Sequence, residues 1–275
     1  PYLGLLQAVV ERQASLVARW MGVGFIHGVM NTDNMTISGE TIDYGPCAFM
    51  EHFDPNAVFS SIDTSGRYAY GNQPAIAQWN LARLADALLP LIDADAESAA
   101  QRAGAAVEAF AERFDFHWTS VLRLKLGLDG SSGDDRALAD DYLKLMSQYR
   151  IDFTLAFARL ADAAQGNDTP LRALFGGTGA ALELWLKRWR ERTQAVGTSQ
   201  VELAAALRSA NPIYIPRNHH VEAALAAAVE RDNLAPFERL LRVLEHPFDE
   251  HPADISLAEP APAELTENYR TFCGT

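Results

Sequence analysis

Cysteine, long apolar runs and basic residues are all scarce in this sequence of 275 residues. Its two cysteines, Cys47 and Cys273, are too few for a disulfide framework. No run of about 18 apolar residues is present, so we expect no membrane span. Lys and Arg number 23 against 36 Asp and Glu, which gives a net charge of −13. Because nucleic-acid-binding surfaces are basic, this balance argues against a nucleic-acid partner.

What the sequence does contain is a large apolar fraction in helical spacing. Hydrophobic residues make up 48% of the chain, which is ample for a buried core. Apolar residues recur at helical spacing from residue 3 to 21, and the next helix is predicted from Gln73, with a buried stripe that includes Trp79 and Leu81. Further helices are predicted at about 96–128, 134–165, 170–195, 199–209, 221–231 and 234–246. The sequence therefore predicts a mainly α fold.

A single short segment, His27–Pro46, breaks this helical pattern. Residues 35–37 and 41–42 are β-prone, and Ser38-Gly39-Glu40 supplies a turn between them, which predicts a β-hairpin. One end of such a hairpin carries Asp33 and Asn34, and the other carries Asp43. Oxygen-bearing side chains that converge in this way suit a hard cation such as Mg²⁺.

The spacing within this segment resembles the catalytic core of protein kinases. The interval from His27 to Asn34 equals that from the kinase His-Arg-Asp histidine to the metal-binding asparagine, and Asp43-Tyr44-Gly45 stands in the place of Asp-Phe-Gly. Val29 occupies the position of the kinase catalytic aspartate and cannot accept a proton. The irregular segment 46–74 that follows takes the place of an activation segment.

Longer motifs resemble one particular family, the selenoprotein O (YdiU) family. They are HGVMNTDN, IDYGPCAFME, GRYAYGNQPAIAQWNLARLADALLPL and NPIYIPRNH. The resemblance implies a kinase-like fold and a nucleotidyltransferase that moves AMP from ATP to Ser, Thr or Tyr hydroxyls of proteins in the cytoplasm. It extends along the whole chain but covers only the second half of a family member. Residues 1–275 are thus expected to form the large kinase-like lobe, with a catalytic core at about 1–95 and a helical extension at about 96–275, without the N-terminal lobe.

The resemblance also implies roles for individual residues. Asn34 and Asp43 would hold Mg²⁺ or Mn²⁺ and, through it, ATP, and Asp33 would accept the proton of the attacking hydroxyl. His27 and Arg67 would give structural support, His27 by bracing its loop and Arg67 by anchoring the segment or pairing with a carboxylate or phosphate. Cys273 stands where many members have a redox-active selenocysteine or cysteine.

The partner of Cys273 stays open at this point. Phe59 stands near the position where bacterial relatives often have a second cysteine, and phenylalanine forms no disulfide. Cys47 remains an alternative partner.

Two alternative functions also remain open. One is ordinary phosphoryl transfer, against which Val29 speaks. The other is a non-catalytic pseudokinase module or an inactive fragment, which the expected lack of the N-terminal lobe favours.

The second unusual stretch, Asn211–His220, contains two prolines and is predicted to run extended between helices. Arg217 in this stretch is expected to pair with an acidic group.

Overall fold

The computed structural model describes every residue except 131, 177–178, 196, 267–268 and 273–275. The predicted mainly α fold is confirmed. The chain divides into two compact units. Unit 1 contains residues 1–48, residues 55–121 and the C-terminal residues from Arg270 onwards. Unit 2 contains residues 49–54 and 122–269. Among the described helices, none combines the length and the apolarity that crossing a membrane requires.

Unit 1 is built on the packing of two long helices. Its elements are α1 (Tyr2–Gly22), β1 (Phe25–Ile26), a 3₁₀ turn (Thr32–Asn34), β2 (Ala48–Phe49, whose last residue belongs to unit 2), a second 3₁₀ turn (Tyr70–Asn72), α2 (Gln73–Ile92) and the first part of α3 (Ala96–Leu126). The strands β1 and β2 form a two-stranded sheet. Helices α1 and α2 pack against each other. Helix α1 buries a largely apolar face, and removal of apolar surface from water is the dominant favourable term in folding.

The buried face of α2 differs from the predicted stripe. Leu81 is buried as expected, together with Gln73, Ala77, Asn80 and Ala85. Trp79, which was predicted to be core, is 45% exposed. The prediction was wrong because the buried face consists of small and amide side chains, which a search for large apolar residues overlooks.

Unit 2 consists of short and medium helices that follow one another closely. They are α4 (Asp135–Tyr149), α5 (Phe153–Ala158), α6 (Leu160–Ala164), α7 (Thr169–Leu174), α8 (Gly179–Gln194), α9 (Gln200–Ala210), α10 (Asn218–Arg231), α11 (Ala235–Leu244) and α12 (Ala263–Thr266), with a 3₁₀ turn at Pro252–Ala258. An aromatic stack joins α4 to α8, in which the rings of Tyr142 and Trp185 lie 4.0 Å apart. The indole of Trp185 also donates a hydrogen bond to the carbonyl of Leu138, so its polar atom is satisfied inside the core.

The helix predicted at 134–165 is interrupted, which corrects the sequence interpretation. Arg150 adopts a left-handed conformation with φ 52° and ends α4. Two residues later, the Asp152 carboxylate accepts a hydrogen bond from the backbone N–H of Leu155 and caps α5. The left-handed C-cap ends one helix and the N-cap begins the next, and neither event involves the Gly or Pro that usually reveals a helix boundary.

Arg217 lies at the centre of a buried cluster of charges in unit 2, as the predicted pairing with an acidic group requires. Its side chain is fully buried. Its guanidinium donates to Glu51 at 2.5 Å and to both carboxylate oxygens of Asp152 at 2.5 and 3.1 Å. It also donates to the carbonyl of Ala258 at 2.8 Å. Burial raises the pKa of the Glu51 carboxyl, while the charge of Arg217 opposes that rise.

Candidate functional site

The predicted hairpin is present in unit 1 as a tight turn closed by a single antiparallel bridge between Met35 and Thr41. Asp33 and Asn34 precede this bridge along the chain, and Asp43 follows it. The turn lacks the two strands that the sequence analysis predicted.

A threonine side chain explains why the ladder stops after one bridge. The Thr36 hydroxyl donates to the carbonyl of Glu40 at 2.9 Å and accepts from the N–H of Glu40 at 3.1 Å. These are backbone groups that a second rung of the ladder would use. A side chain that bonds nearby backbone groups competes with sheet formation, and at Thr36 the side-chain bonds form instead of the ladder.

Helix α1 supports the turn through hydrogen bonds from two of its side chains. Gln13 donates to the carbonyl of Thr36 at 2.6 Å, and the Trp20 indole donates to the Thr41 hydroxyl at 2.8 Å. Gly39 at the tip has φ +77°, and a Cβ there would lie 2.7 Å from the Cβ of Arg12. The turn therefore rests closely on a rigid helix, which is the kind of support that a precise site needs.

The loop that leads into the turn is fixed by buried polar residues. The His27 ring bonds the carbonyl of Ile42 at 3.0 Å, and the His27 N–H donates to the Gln73 side chain at 3.1 Å. Gln73 in turn donates to the carbonyl of Phe25, and Asn80 donates to that of Met30. Burial lowers the pKa of the His27 imidazole, and the nearby charge of Asp43 partly opposes this effect.

Gln73 and Asn80 are functional supports that sequence reasoning missed. They lie seven residues apart on the buried face of α2, where an apolar residue is expected. Amide side chains at two positions of one helical face would have been a usable signal, because buried amides are almost always hydrogen-bonded and can hold a neighbouring loop.

Asn34 is oriented by its own loop. It closes the 3₁₀ turn Thr32–Asn34, and its side-chain N–H₂ donates to the carbonyl of Val29 at 3.0 Å. This contact uses the nitrogen of the amide and leaves the oxygen as the available acceptor. The neighbouring Asp33 is exposed.

Asp43 lies on the other side of the turn in an uncommon backbone conformation. Its φ is +53°, and its carbonyl accepts a hydrogen bond from the N–H of Gly45 at 2.8 Å. Non-glycine residues rarely adopt this conformation, and where they do the strain is often functional. The Asp43 side chain is exposed.

The donor set of this turn fits a hard divalent cation. Asn34 and Asp43 supply an amide oxygen and a carboxylate, which are ligands that Mg²⁺ accepts alongside water and phosphate oxygens. Neither Asp33 nor Asp43 forms an ion pair with any described residue, and from Phe25 to Val58 there is no Lys or Arg. Within the described part of the chain, no group of three or more His, Cys, Asp or Glu side chains is placed to hold a metal. Asn34 and Asp43 alone would therefore supply only part of a coordination shell.

The segment after Asp43-Tyr44-Gly45 lies directly against the His27 loop. Gly28 has φ +85°, and a Cβ there would lie 2.5 Å from the carbonyl oxygen of Pro46. A side chain at position 28 is thus excluded both by backbone conformation and by space.

The last described residues of the chain form hydrogen bonds with the segment that follows Asp43-Tyr44-Gly45. Thr271 and Ser60 form a parallel bridge, in which Thr271 donates to the carbonyl of Phe59 and accepts from the N–H of Ser61, both at 2.8 Å. The Thr271 hydroxyl donates to the carbonyl of Pro46 at 2.6 Å. This pairing of the C-terminal residues with the segment after the turn was not predicted from the sequence.

Arg67 binds aromatic rings within unit 1. Its guanidinium carbon lies 5.0 Å from the centre of the Trp79 ring and 5.7 Å from that of Tyr68. Its own N–H and that of Tyr68 donate to the carboxylate of Asp63. This geometry is compatible with the predicted anchoring role.

Of the two cysteines, Cys47 alone lies in the part of the chain that the structure describes. Cys273 lies outside the described residues. Cys47 is a free thiol, and burial raises its pKa. A raised pKa reduces the thiolate fraction and hence the reactivity of Cys47.

Comparison with known proteins gives one consistent result. The family model for "Protein adenylyltransferase SelO" matches residues 1–245. The chain is 58% identical over 275 residues to "Protein nucleotidyltransferase YdiU" of Cereibacter sphaeroides, and 56% identical over 275 residues to the protein of that name from Chromobacterium violaceum. These alignments cover 100% of the chain but only 55% and 57% of the two relatives. The chain thus spans about half the length of the curated relatives it matches.

Proposed function

The chain belongs to the protein adenylyltransferase SelO family, and from this membership we propose that the protein containing it transfers AMP from ATP to hydroxyl groups of proteins. In the reaction, a Ser, Thr or Tyr oxygen attacks the α-phosphorus of ATP. The bond from that phosphorus to the bridging oxygen of the β-phosphate breaks, and pyrophosphate leaves. The fold proposed for the chain is the large lobe of a protein-kinase-like enzyme.

The observation that carries this proposal is the bridge between Met35 and Thr41, which Asp33 and Asn34 precede and Asp43 follows along the chain. Asn34 and Asp43 are proposed to hold Mg²⁺ or Mn²⁺, since they supply two exposed or half-exposed oxygen donors with no competing cation. A divalent ion bound there would neutralise negative charge on the phosphates. The bond from the Asn34 amide to the carbonyl of Val29 fixes which atom of the amide is offered.

Asp33 is proposed to accept the proton from the attacking hydroxyl. It is exposed and therefore accessible to a substrate. Val29, at the place of the kinase catalytic aspartate, is buried and has no group that could replace it. A positioned base contributes roughly 10²–10⁴-fold to such a reaction.

His27 and Arg67 are proposed to support the site without contacting the reacting atoms. Burial lowers the pKa of the His27 imidazole, and its bond to Ile42 ties the loop before Asp33 to the residue before Asp43. Arg67 stacks on Trp79 and keeps the segment after the turn in place. Each of these roles is a restraint on backbone position.

The groups that neutralise the triphosphate are proposed to lie outside this chain. A turn bearing Asp33, Glu40 and Asp43 repels a nucleotide unless cations offset it, and no Lys or Arg occurs from Phe25 to Val58. We expect the 275-residue chain alone to bind Mg·ATP poorly in calorimetry. Micromolar binding, about −8 kcal/mol, would contradict this assignment.

One labelling experiment on the full-length protein separates the reaction classes. ATP carrying label on the α-phosphate is compared with ATP carrying label on the γ-phosphate, and protein-bound label is measured. Label from the α-position alone supports AMP transfer. Label from the γ-position alone identifies a phosphotransferase, and label from neither identifies a non-catalytic module.

A further inference from the structure

An exposed tryptophan on α2 carries two arginine side chains. The guanidinium carbon of Arg67 lies 5.0 Å from the centre of the Trp79 ring, and that of Arg83 lies 5.3 Å from it. A cation at this distance is attracted by the electron-rich face of an indole. Both guanidinium groups are therefore held at the surface against one ring. We call Arg67, Trp79 and Arg83 the Arg–Trp–Arg patch.

The two carboxylates nearest to this patch leave its cations available. Asp63 accepts the backbone N–H groups of Arg67 and Tyr68, and the Arg67 guanidinium forms no ion pair with any described residue. Arg83 pairs with Asp86 at 3.2 Å, but the two side chains are 49% and 59% exposed. Exposed pairs of this kind contribute little free energy, so a carboxylate from another molecule can compete with Asp86.

The patch borders the loop of the candidate site. Tyr68, which follows the first arginine of the patch, donates from its hydroxyl to the Oδ1 of Asn31 at 2.7 Å. The next residue of that loop, Thr32, lines the same cavity as Arg83. Asp33, the proposed base, follows directly along the chain. A molecule bound at the patch therefore lies beside the loop that carries Asp33.

The cavity shared by Thr32 and Arg83 adds an apolar surface to the patch. It lies within unit 1, has a volume of ≈ 330 Å³ and is open at one side. Its apolar wall includes Val9, Leu81 and Leu84, and Arg83 is the only charged residue among the described residues that line it. An apolar side chain of a partner can thus bind next to a cation.

The charge of the chain selects between two classes of anionic partner. Its net charge is −13, and no Lys or Arg occurs from Phe25 to Val58. A nucleic acid carries a negative charge on every nucleotide and is repelled by such a surface. A polypeptide with one or two carboxylates beside an apolar residue carries little charge beyond what the patch can pair.

We propose that the patch and the cavity bind a segment of the protein substrate in which an Asp or Glu lies next to a large apolar residue. The inference rests on the proposed transfer of AMP to proteins. The substrate carboxylate pairs with the guanidinium groups of Arg67 and Arg83, which can bind it in the bidentate manner typical of arginine. The apolar side chain occupies the cavity against Leu81 and Leu84. This docking holds the substrate next to the proposed base.

The test is binding of labelled peptides to the full-length protein without nucleotide, measured by fluorescence anisotropy. The probe is a fluorescein-labelled peptide with the repeat Glu-Glu-Leu, and the matched peptides have the repeats Gln-Gln-Leu and Glu-Glu-Ser. We expect each matched peptide to bind at least about fivefold more weakly, because one lacks the charge and the other the apolar side chain. Equal affinity for the Gln peptide, or failure of the Glu-Glu-Leu peptide to bind, would overturn the proposal. Equal affinity for the Ser peptide would refute the role of the cavity.

Four variants locate the binding. Arg83→Gln should weaken the Glu-Glu-Leu peptide at least about fivefold, whereas Asp86→Asn frees Arg83 and should tighten binding about twofold. Arg19→Gln changes the net charge by the same amount as Arg83→Gln at another exposed arginine of unit 1, and it should leave affinity unchanged. Equal losses for Arg83→Gln and Arg19→Gln would refute the assignment. Arg67→Gln should also weaken binding, with its Tm measured because Arg67 anchors its segment, and unchanged affinity would refute the part assigned to Arg67.

Competition separates the peptide from other anions. Unlabelled oligothymidylate and Mg·ATP are added to the complex with the labelled peptide, and we expect neither to displace it. Displacement by oligothymidylate would overturn the proposal in favour of nucleic acid, and displacement by Mg·ATP would overturn it in favour of a nucleotide site.

The binding assay and the labelling experiment fail independently of each other. If label from α-labelled ATP reaches proteins but the Glu-Glu-Leu peptide does not bind, the docking site is refuted and the proposed function stands. If the peptide binds in a manner that depends on Arg83 but no label is transferred, the proposed function fails and the docking site stands.

Discussion

Two groups of charged residues in this protein are treated in opposite ways. In unit 2, Arg217 is fully buried and donates hydrogen bonds to Glu51, Asp152 and a backbone carbonyl. In unit 1, Asp33 and Asp43 are exposed and form no ion pair with the described residues. A buried charge needs a partner because its desolvation costs free energy, whereas an exposed charge is stabilised by water and stays accessible to a ligand. The contrast suggests that the first group holds structure and the second is kept available for chemistry.

The sharpest test of this contrast removes the carboxylate with the strained backbone. Asp43→Ala in the full-length protein should reduce AMP transfer at least about 10³-fold, since charge stabilisation at the phosphates would be lost. Folding should be little affected, because the side chain is exposed. Initial rates with α-labelled ATP and thermal melting measure the two effects.

Glu40→Ala is the matched control for Asp43→Ala. It removes another exposed carboxylate from the same turn and should retain most of the transfer activity. A well-folded Asp43→Ala protein with full activity would show that Asp43 is not part of the reacting site.

Asp33→Ala should lower kcat by about 10²-fold or more while leaving nucleotide affinity close to that of the parent protein. A base acts in the transition state, so its loss affects turnover rather than binding. Steady-state kinetics and calorimetry with Mg·ATP separate these quantities. Collapse of nucleotide affinity with unchanged turnover of the bound nucleotide would instead make Asp33 a ligand-holding residue.

The opposite side of the comparison is tested by Arg217→Met. This change leaves Glu51 and Asp152 buried without a cation and should lower the free energy of unfolding by about 3–5 kcal/mol. Urea denaturation measures the loss. Arg188→Met is the control, because the half-exposed Arg188 also pairs with a carboxylate, that of Asp141. Its cost should be about 1 kcal/mol or less, and equal costs for the two variants would contradict the structural role of the cluster.

A smaller effect is expected from Lys125, which is buried in unit 2 without an ion-pair partner in the described structure. Its ammonium lies 4.3 Å from the centre of the Phe157 ring, and burial lowers its pKa to about 7. Between pH 7 and about 10 the unfolded chain then binds more protons than the folded one, so stability should rise with pH in this window.

Urea unfolding at several pH values checks this prediction. The slope contributed by Lys125 should not exceed about 1.4 kcal/mol per pH unit, which is the limit for one proton. Lys125→Met should remove that contribution. Parallel pH profiles for the two proteins would show that Lys125 does not titrate in this range.

The sequence predicted the secondary structure where a regular apolar pattern or a proline marks it. It failed where an unusual backbone conformation or a side-chain hydrogen bond decides the local structure. The periodic apolar pattern of residues 3–21 predicted α1, and the two prolines around Ile213 marked the connector that carries Arg217. The break after α4 escaped prediction because Arg150 adopts a left-handed conformation without being glycine. The reduced hairpin escaped because a hydroxyl of Thr36 replaces backbone pairing, and propensities do not describe that competition.

The residues proposed for the candidate site were chosen from the sequence, whereas the side chains that hold their loop were not. Spacing alone selected Asp33, Asn34 and Asp43, since a metal needs oxygen donors in any fold. The amides of Gln13, Gln73 and Asn80 that hold the loop come from distant parts of the chain. Their role depends on tertiary contacts, and the local sequence signals it only by placing two amides on one face of α2.

The bond from the Thr271 hydroxyl to the carbonyl of Pro46 spans 225 residues of sequence. During translation, at roughly 5–20 residues per second, the partner of Pro46 emerges about 10–50 s after Pro46 itself. The segment next to the candidate site therefore stays open until synthesis has passed Thr271. The acidic turn and its supports on α1 and α2 can form early in synthesis. The bonds between Thr271 and that segment form late.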